Sequence, residues 1–191
     1  MREKQTKKLF KIILVLFLAL VIFTAVGLSV VFIHAAPSAA TSSQSLTPTS
    51  YPVGPAPGYA LVVYDPGSTG AAKSIADEMA SDLQAQGYFV NLAGIDSTMA
   101  KADASQYQVI VVGGPIDNGK ASSSVQSFLN KLTPAKGTQI GVFGVGSSDT
   151  PNNEIAPLPS GSSLIIKEIL QINPSQDTTT QSAEFVTQLL S

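Results

Sequence analysis

One stretch constrains this chain more than any other: ALVVYDPGSTGAAKSIADEMASDLQAQGY, Ala60 to Tyr88. Leu61, Val62, Val63 and Tyr64 form a short apolar run suited to a strand buried on both faces. Asp65, Pro66 and Gly67 break it, and Ser68, Thr69 and Gly70 follow. Ala72, Ile75, Ala76, Met79 and Leu83 then recur at helical spacing, and Gly87 stands where a left-handed residue ends a helix. A loop that ends a buried strand and opens a helix turns several N–H groups toward one point. The positive end of the helix dipole lies behind them, so the point suits a phosphate. The same residues also satisfy a plainer reading, in which Ser68 or Thr69 caps the helix and Gly70 turns the chain.

The pattern repeats downstream. Further strands are predicted at Tyr88–Gly94, Tyr107–Gly114, Thr138–Gly146 and Ser163–Ile172, with helices at Ser122–Leu132 and Thr178–Leu190. Thr98–Ser105 reads as a turn or short helix, Pro115–Lys120 as a loop and Ser147–Ser160 as a long loop. Thr178 and Gln181 have capping-box spacing. Alternating strands and helices imply a parallel sheet covered on both faces, with ligands beyond the carboxyl ends of the strands. Three glycine-bearing loops leave those ends: Pro66–Gly70, Gly113–Lys120 and Gly144–Asp149.

The N-terminus is of another kind. Ile12–Ile33 are twenty-two residues without a charge, about 33 Å as a helix and enough to cross a bilayer. Five of the eleven basic side chains precede them, at Arg2, Lys4, Lys7, Lys8 and Lys11, and no Lys or Arg follows before Lys73. The positive-inside rule then puts residues 1–11 in the cytoplasm, a single-pass anchor at 12–34 and the remainder outside the cell membrane. The competing reading is a secretory signal cleaved near the small residues Ala35 to Ala40, with Ser38-Ala39-Ala40 as the site. Residues 35–58, rich in Pro, Ser and Thr, read as a linker; extended, they would hold the domain at 59–191 on the order of 60 Å from the bilayer.

Composition removes several function classes. Beyond residue 11 the chain holds six basic and twelve acidic groups, a net of −6, which disfavours nucleic acid. It has no Cys, so thiolate chemistry and Cys-ligated metals are excluded. The lone His34 precedes the domain, which leaves no His base for a Ser nucleophile and no His-ligated metal. G-x-S-x-G is absent, and the third strand ends in Gly113-Gly114 where a phospho-acceptor receiver needs Asp.

Val63-Tyr64-Asp65 through Ser68-Thr69-Gly70, Val111-Val112-Gly113-Gly114-Pro115-Ile116, Asn118-Gly119-Lys120 and Gly141-Val142-Phe143-Gly144 together resemble the flavodoxin-like family. The resemblance spans the whole domain after the linker. It implies an α/β, doubly wound, five-stranded parallel sheet in the order 2-1-3-4-5, and FMN bound without a covalent bond. It assigns the phosphate to Ser68, Thr69, Gly70, Ala71 and Ala72. It assigns the ring to Gly114, Pro115, Ile116, Asp117, Asn118 and Gly119 and to Gly144, Val145, Gly146 and Asp149. Ala71 and Ala72 replace the family's Asn and Thr, Asp117 stands where Tyr is common, and the helix between the fourth and fifth strands is missing. The expected function is a membrane-anchored FMN domain that transfers electrons to a redox protein partner drawn by its acidic surface. The alternative is a flavin-free interaction or scaffold domain tethered at the cell surface.

Overall fold

In the computed structural model, which describes residues 39–49 and 58–191, the apolar runs become the middle of one sheet. Its seven strands are β1 (Ser43–Leu46), β2 (Tyr59–Tyr64), β3 (Phe89–Gly94), β4 (Val109–Asp117), β5 (Lys120–Ala121), β6 (Gln139–Val145) and β7 (Glu168–Ile172). The order is β1-β3-β2-β4-β6-β7, with β5 paired to β4. The pairs β2–β3, β2–β4, β4–β6 and β6–β7 are parallel, whereas β1 and β5 run antiparallel to their partners. The helices are α1 (Ala71–Ala85), α2 (Ser123–Lys131), the single turn α3 (Asn152–Ile155) and α4 (Thr178–Leu190). The basic segment 1–11, the anchor expected at 12–34 and residues 50–57 lie outside the described residues. Among the described residues no helix is long and apolar enough to cross a membrane.

The central strands are apolar throughout because successive side chains enter opposite cores. Val62, Tyr64, Val109, Val111 and Phe143 face one side, where α1 (Ile75, Met79, Leu83) and α4 (Phe185, Val186, Leu189) cover them. Leu61, Val63, Ile110, Val112, Ile140 and Val142 face the other, covered by α2 (Val125, Leu129), by Ile155 of α3 and by irregular chain carrying Ile95, Ala100 and Ala156. Gly141 makes room for the Phe185 ring, since a Cβ there would lie 2.6 Å from Cζ. Gly113 does the same for Phe143.

Several expectations are corrected. The sheet has seven strands rather than five. One added strand is β5, paired with the end of β4. The other comes from the linker assigned to 35–58, which is partly folded: β1 zips antiparallel onto the edge of β3, Ser43 opposite Ala93 and Leu46 opposite Val90. The expected loop 115–120 is strand and hairpin. β4 continues to Asp117 and turns back through Asn118 (φ 52°) and Gly119 (φ 74°), the two left-handed residues of a tight hairpin, a signal that Asn-Gly offered in the sequence. The last strand starts at Glu168 rather than Ser163. The α4 cap is Asp177, one residue before the expected Thr178, and its Oδ1 accepts the Thr180 N–H at 3.2 Å. Between β3 and β4 there is only a 3-10 turn, Ala104–Gln106, and a groove of about 670 Å³ is left beside α2.

One charge opposes this packing. Asp82, on α1, is pushed above the usual carboxylate range by burial and then by the charge of Glu78. A raised folded-state value means that its contribution to stability is present in full at acid pH. That contribution is lost as pH rises through the folded-state value. Asp82→Asn is therefore expected to raise the urea midpoint at pH 7 and to leave it unchanged below about pH 3.

Candidate functional site

From β2 the chain crosses over to β3 on one side and later to β4 on the other, so the strand order reverses between β2 and β4. The loops that follow these two strands flank the crevice in which doubly wound sheets bind ligands. A short polar network ties them together. The Asp65 N–H donates to the Gly113 carbonyl at 2.8 Å. Asp65 Oδ1 accepts the Gly67 N–H at 3.0 Å, and Oδ2 accepts the Ser122 hydroxyl at 2.7 Å. Ser122 is buried and is itself the N-cap of α2, accepting the Val125 N–H at 3.4 Å. Gly67, at φ 58°, presses against Pro115, whose Cγ would stand 3.0 Å from an added Cβ. Gly114 is needed for packing, because a Cβ there would meet Asp65 Cβ at 2.8 Å and Val125 Cγ2 at 2.9 Å.

The first loop holds open N–H groups. Gly70 N donates to the Pro66 carbonyl at 3.1 Å, and Ala71 N donates to Thr69 Oγ1 at 3.3 Å. The N–H groups of Ser68, Thr69 and Ala72 have no acceptor among the described residues. Gly70 is the N-cap of α1 with φ 74°, and an added Cβ would meet nothing within 4 Å. Ser68 and Thr69 are exposed and Ala71 half-buried, whereas the Ala72 side chain belongs to the core, so Ala72 offers the loop only its N–H. Lys73 follows in the first turn, paired with Asp77 at 2.8 Å, and this hydrogen bond holds its ammonium above the ordinary lysine value.

The other two loops are filled more than the sequence suggests. The Ile116 side chain lies across the third loop: a Cβ on Gly144 would meet its Cδ1 at 2.9 Å, and one on Gly146 its Cβ at 3.0 Å. Gln171 Nε2 donates to the carbonyls of Gly146 (3.1 Å) and Ser148, and its Oε1 accepts the Thr150 N–H at 2.8 Å. Val145 is buried in the core beneath α1 and α4, so its side chain does not reach the site. Asp117, Asn118 and Asp149 are exposed, and the hairpin is tied to α3 by Lys120 and Glu154 at 3.6 Å. Sequence reasoning did not single out Asp65, Ser122 or Gln171 as partners. Ser122 has the residue type of an N-cap, but nothing local marks Gln171.

A family model described as a flavodoxin domain matches residues 61–174. The chain belongs to this family. Among solved structures, the flavodoxin domain is similar to oxidised flavodoxin 2 from Bacillus cereus, at 18% identity with a TM-score of 0.50 over 69% of this chain and 97% of that one. It is also similar to a short-chain flavodoxin associated with a non-canonical PDU bacterial microcompartment, at 21% identity and a TM-score of 0.47, over 69% and 96%. At 18% identity the likeness to flavodoxin 2 speaks for the fold alone. No match is found among curated proteins.

The residues of the flavodoxin domain fit the two ends of FMN unequally. The phosphate end fits, with open N–H groups around a left-handed glycine that has free space before it. At the ring end Ile116 supplies an apolar surface, Gln171 has taken backbone groups of the third loop, and residues 117–119 and 147–149 contain no aromatic side chain.

Proposed function

We propose that this flavodoxin domain binds FMN weakly and serves in electron transfer at a membrane. The observation that carries the reading is the first loop, whose unpaired N–H groups at Ser68, Thr69 and Ala72 surround the open Gly70 at the switch point of the sheet. Those groups bind the phosphate, aided by the α1 dipole. The bond between Asp65 and Ser122 holds the first loop against the start of α2. Ile116 offers the ring an apolar surface, Asn118 and Gly119 offer it backbone, and Asp117 sets a negative charge at the rim. FMN supplies the electron-transfer chemistry, and the protein positions the group. On the same reading Ile12–Ile33 crosses the membrane, with residues 1–11 cytoplasmic and the domain outside.

Titration of residues 37–191 with FMN, followed by flavin fluorescence, tests the cofactor. With Ala71 in place of a polar contact worth about 0.5–1.5 kcal/mol, and the side chain at 72 turned into the core, binding is expected roughly two- to tenfold weaker than with a full loop. Ala71→Asn is expected to tighten it and Asp117→Tyr to add stacking. Ala72→Thr is expected to disturb the core instead, since that side chain is 2% exposed. Gly70→Val is expected to abolish binding while unfolding stays cooperative, because its methyls enter the open approach and φ 74° strains a branched residue by roughly 1–3 kcal/mol.

The second reading, a flavin-free tethered interaction domain, is favoured by Ile116 over Gly144 and Gly146 and by the closure of Gln171 on the third loop. Absence of quenching at high micromolar protein, in the parent and in the Ala71→Asn, Asp117→Tyr variant alike, selects it.

A further inference from the structure

We propose that the outer edge of β7 pairs with the same edge of a second copy of this chain. β7 ends the strand order, and no described strand lies on its far side. The hydrogen-bond pattern gives the groups that face that way. In a parallel sheet each residue turns both backbone groups to one neighbour, and successive residues alternate. The Gln139 N–H donates to the Gln108 carbonyl at 2.9 Å, so the odd-numbered residues of β6 serve β4 and the even-numbered ones serve β7. At the far end the Gly146 N–H donates to the Ile172 carbonyl at 3.0 Å. Glu168, Leu170 and Ile172 therefore bond to β6, whereas the backbone groups of Ile169 and Gln171 turn outward. Among the described residues nothing accepts from those two N–H groups or donates to those two carbonyls. The opposite edge of the sheet differs. There β3 is covered by β1, whose Ser43, Gln44 and Ser45 are polar and exposed. The uncovered β7 holds Ile169 and Leu170 half-buried, and Ile165, just before it, is 81% exposed. An open apolar edge is a template for another strand.

The sequence of β7 suits its own copy. Two copies related by a two-fold axis present the same edge to each other. Their strands run antiparallel, and opposite residues share a face. A register centred on Lys167 or on Glu168 sets like charges opposite each other and is disfavoured. One centred on Ile169 leaves the Gln171 carbonyl unpaired, because the Lys167 N–H that would reach it is given to the Ile140 carbonyl at 2.8 Å. The register centred on Leu170 has neither fault. It pairs Ile169 with Gln171 of the second copy, and Gln171 with Ile169, so every outward N–H and carbonyl of the two residues is used. It sets Leu170 against Leu170, Glu168 against Ile172 and Lys167 against Asn173, with no like charges opposed. The contact is short, so association is expected to be weak and to appear only in concentrated protein. The Gln171 side chain also holds the third loop through the Gly146 and Ser148 carbonyls, so the interface and that loop share a residue.

Amide exchange tests this on the full chain in detergent micelles, read residue by residue by NMR in dilute and in millimolar protein. The Ile169 and Gln171 amides are expected to exchange freely in the dilute sample and at least roughly tenfold more slowly in the concentrated one. The Glu168, Leu170 and Ile172 amides, bonded to β6, are expected to stay protected in both. Sedimentation of the same samples is expected to show a monomer passing to a dimer. Ile169→Pro removes only an outward N–H, which an edge strand tolerates, and is expected to stay monomeric with Gln171 unprotected. Ile169→Ala shortens the same side chain but keeps the N–H, and is expected to dimerise. Should Ile169→Pro fail to fold, the parent's Ile169 and Gln171 amides decide alone. A monomer at millimolar concentration overturns the pairing. So does protection of these two amides in the dilute monomer, which would mean that the chain covers its own edge. A dimer that leaves them unprotected, or that survives Ile169→Pro, places the contact elsewhere and overturns it as well.

Discussion

Val111→Asp is expected to leave no cooperatively folded domain. Val111 is fully buried in β4, paired with Val62 on one side and Gly141 on the other, and its side chain enters the core under α1 and α4. A carboxylate there has no cation beside it and no route to water from a strand with neighbours on both edges. Burial of an unpaired charge costs several kcal/mol, against a total stability of about 5–15 kcal/mol for an ordinary domain. Val111→Ala, which removes two methyl groups and leaves a small cavity, is expected to cost only about 2 kcal/mol and to keep a sharp urea transition. Far-ultraviolet dichroism and urea titration of residues 37–191 distinguish the two. A soluble Val111→Asp protein with the parent's transition would mean that β4 is not the centre of the sheet.

Gly94→Val is expected to release the N-terminal strap, the segment 39–46 that is held along β3. An added Cβ at Gly94 would strike the backbone carbonyls of Ala39 and Ala40, and backbone cannot swing aside as a long side chain can. The bonds from Gly94 and Asp96 to the strap and the Ser42–Tyr64 bond are lost together, each worth about 1 kcal/mol. The ordering entropy recovered by the freed residues offsets part of this, and a net loss on the order of 2 kcal/mol is expected. A fragment that begins at Tyr59 should show a similar loss, and the uncovered edge of β3 should make it prone to association. In that fragment the Ala39 and Ala40 carbonyls that Gly94→Val strikes are gone, and the substitution is expected to cost much less than in residues 37–191. This non-additivity is the decisive measurement. Independent, additive losses would mean that Gly94 does not hold the strap.

Much of the fold was legible in local pattern. The run Leu61–Tyr64 and its counterparts at Val109–Val112 and Ile140–Phe143 are apolar at every position, and only a strand covered on both faces needs that. The helical spacing of Ile75, Met79 and Leu83 fixed the inward face of α1, and Gly87, at φ 92°, ends it as the sequence indicates. The glycines are a different matter. Gly113, Gly114, Gly141 and Gly144 suggest close approach, and close approach is what they serve, but mostly to Phe143, Asp65, Phe185 and Ile116 rather than to open space. A sequence records that a Cβ is missing and not which neighbour required it. The strap was illegible for a related reason. Ser43–Leu46 is polar with one apolar residue, and such a segment becomes a strand only because the edge of β3 presents unpaired N–H and C=O groups to it.

Periodicity, turn residues and composition thus determined the layers of this protein, the strand ends from which its loops leave, and the exclusion of thiol and histidine chemistry. Tertiary structure decided what fills the space between those loops. Asp65 meets Ser122 across 57 residues and Gln171 reaches back 25 to Gly146. Ile116 lies on Gly144 and Gly146, and the N-terminal chain is pinned beside Tyr64. Such contacts join residues distant in sequence. They depend on which strands become neighbours, and that order is set by burial of the whole sheet, not by any segment alone.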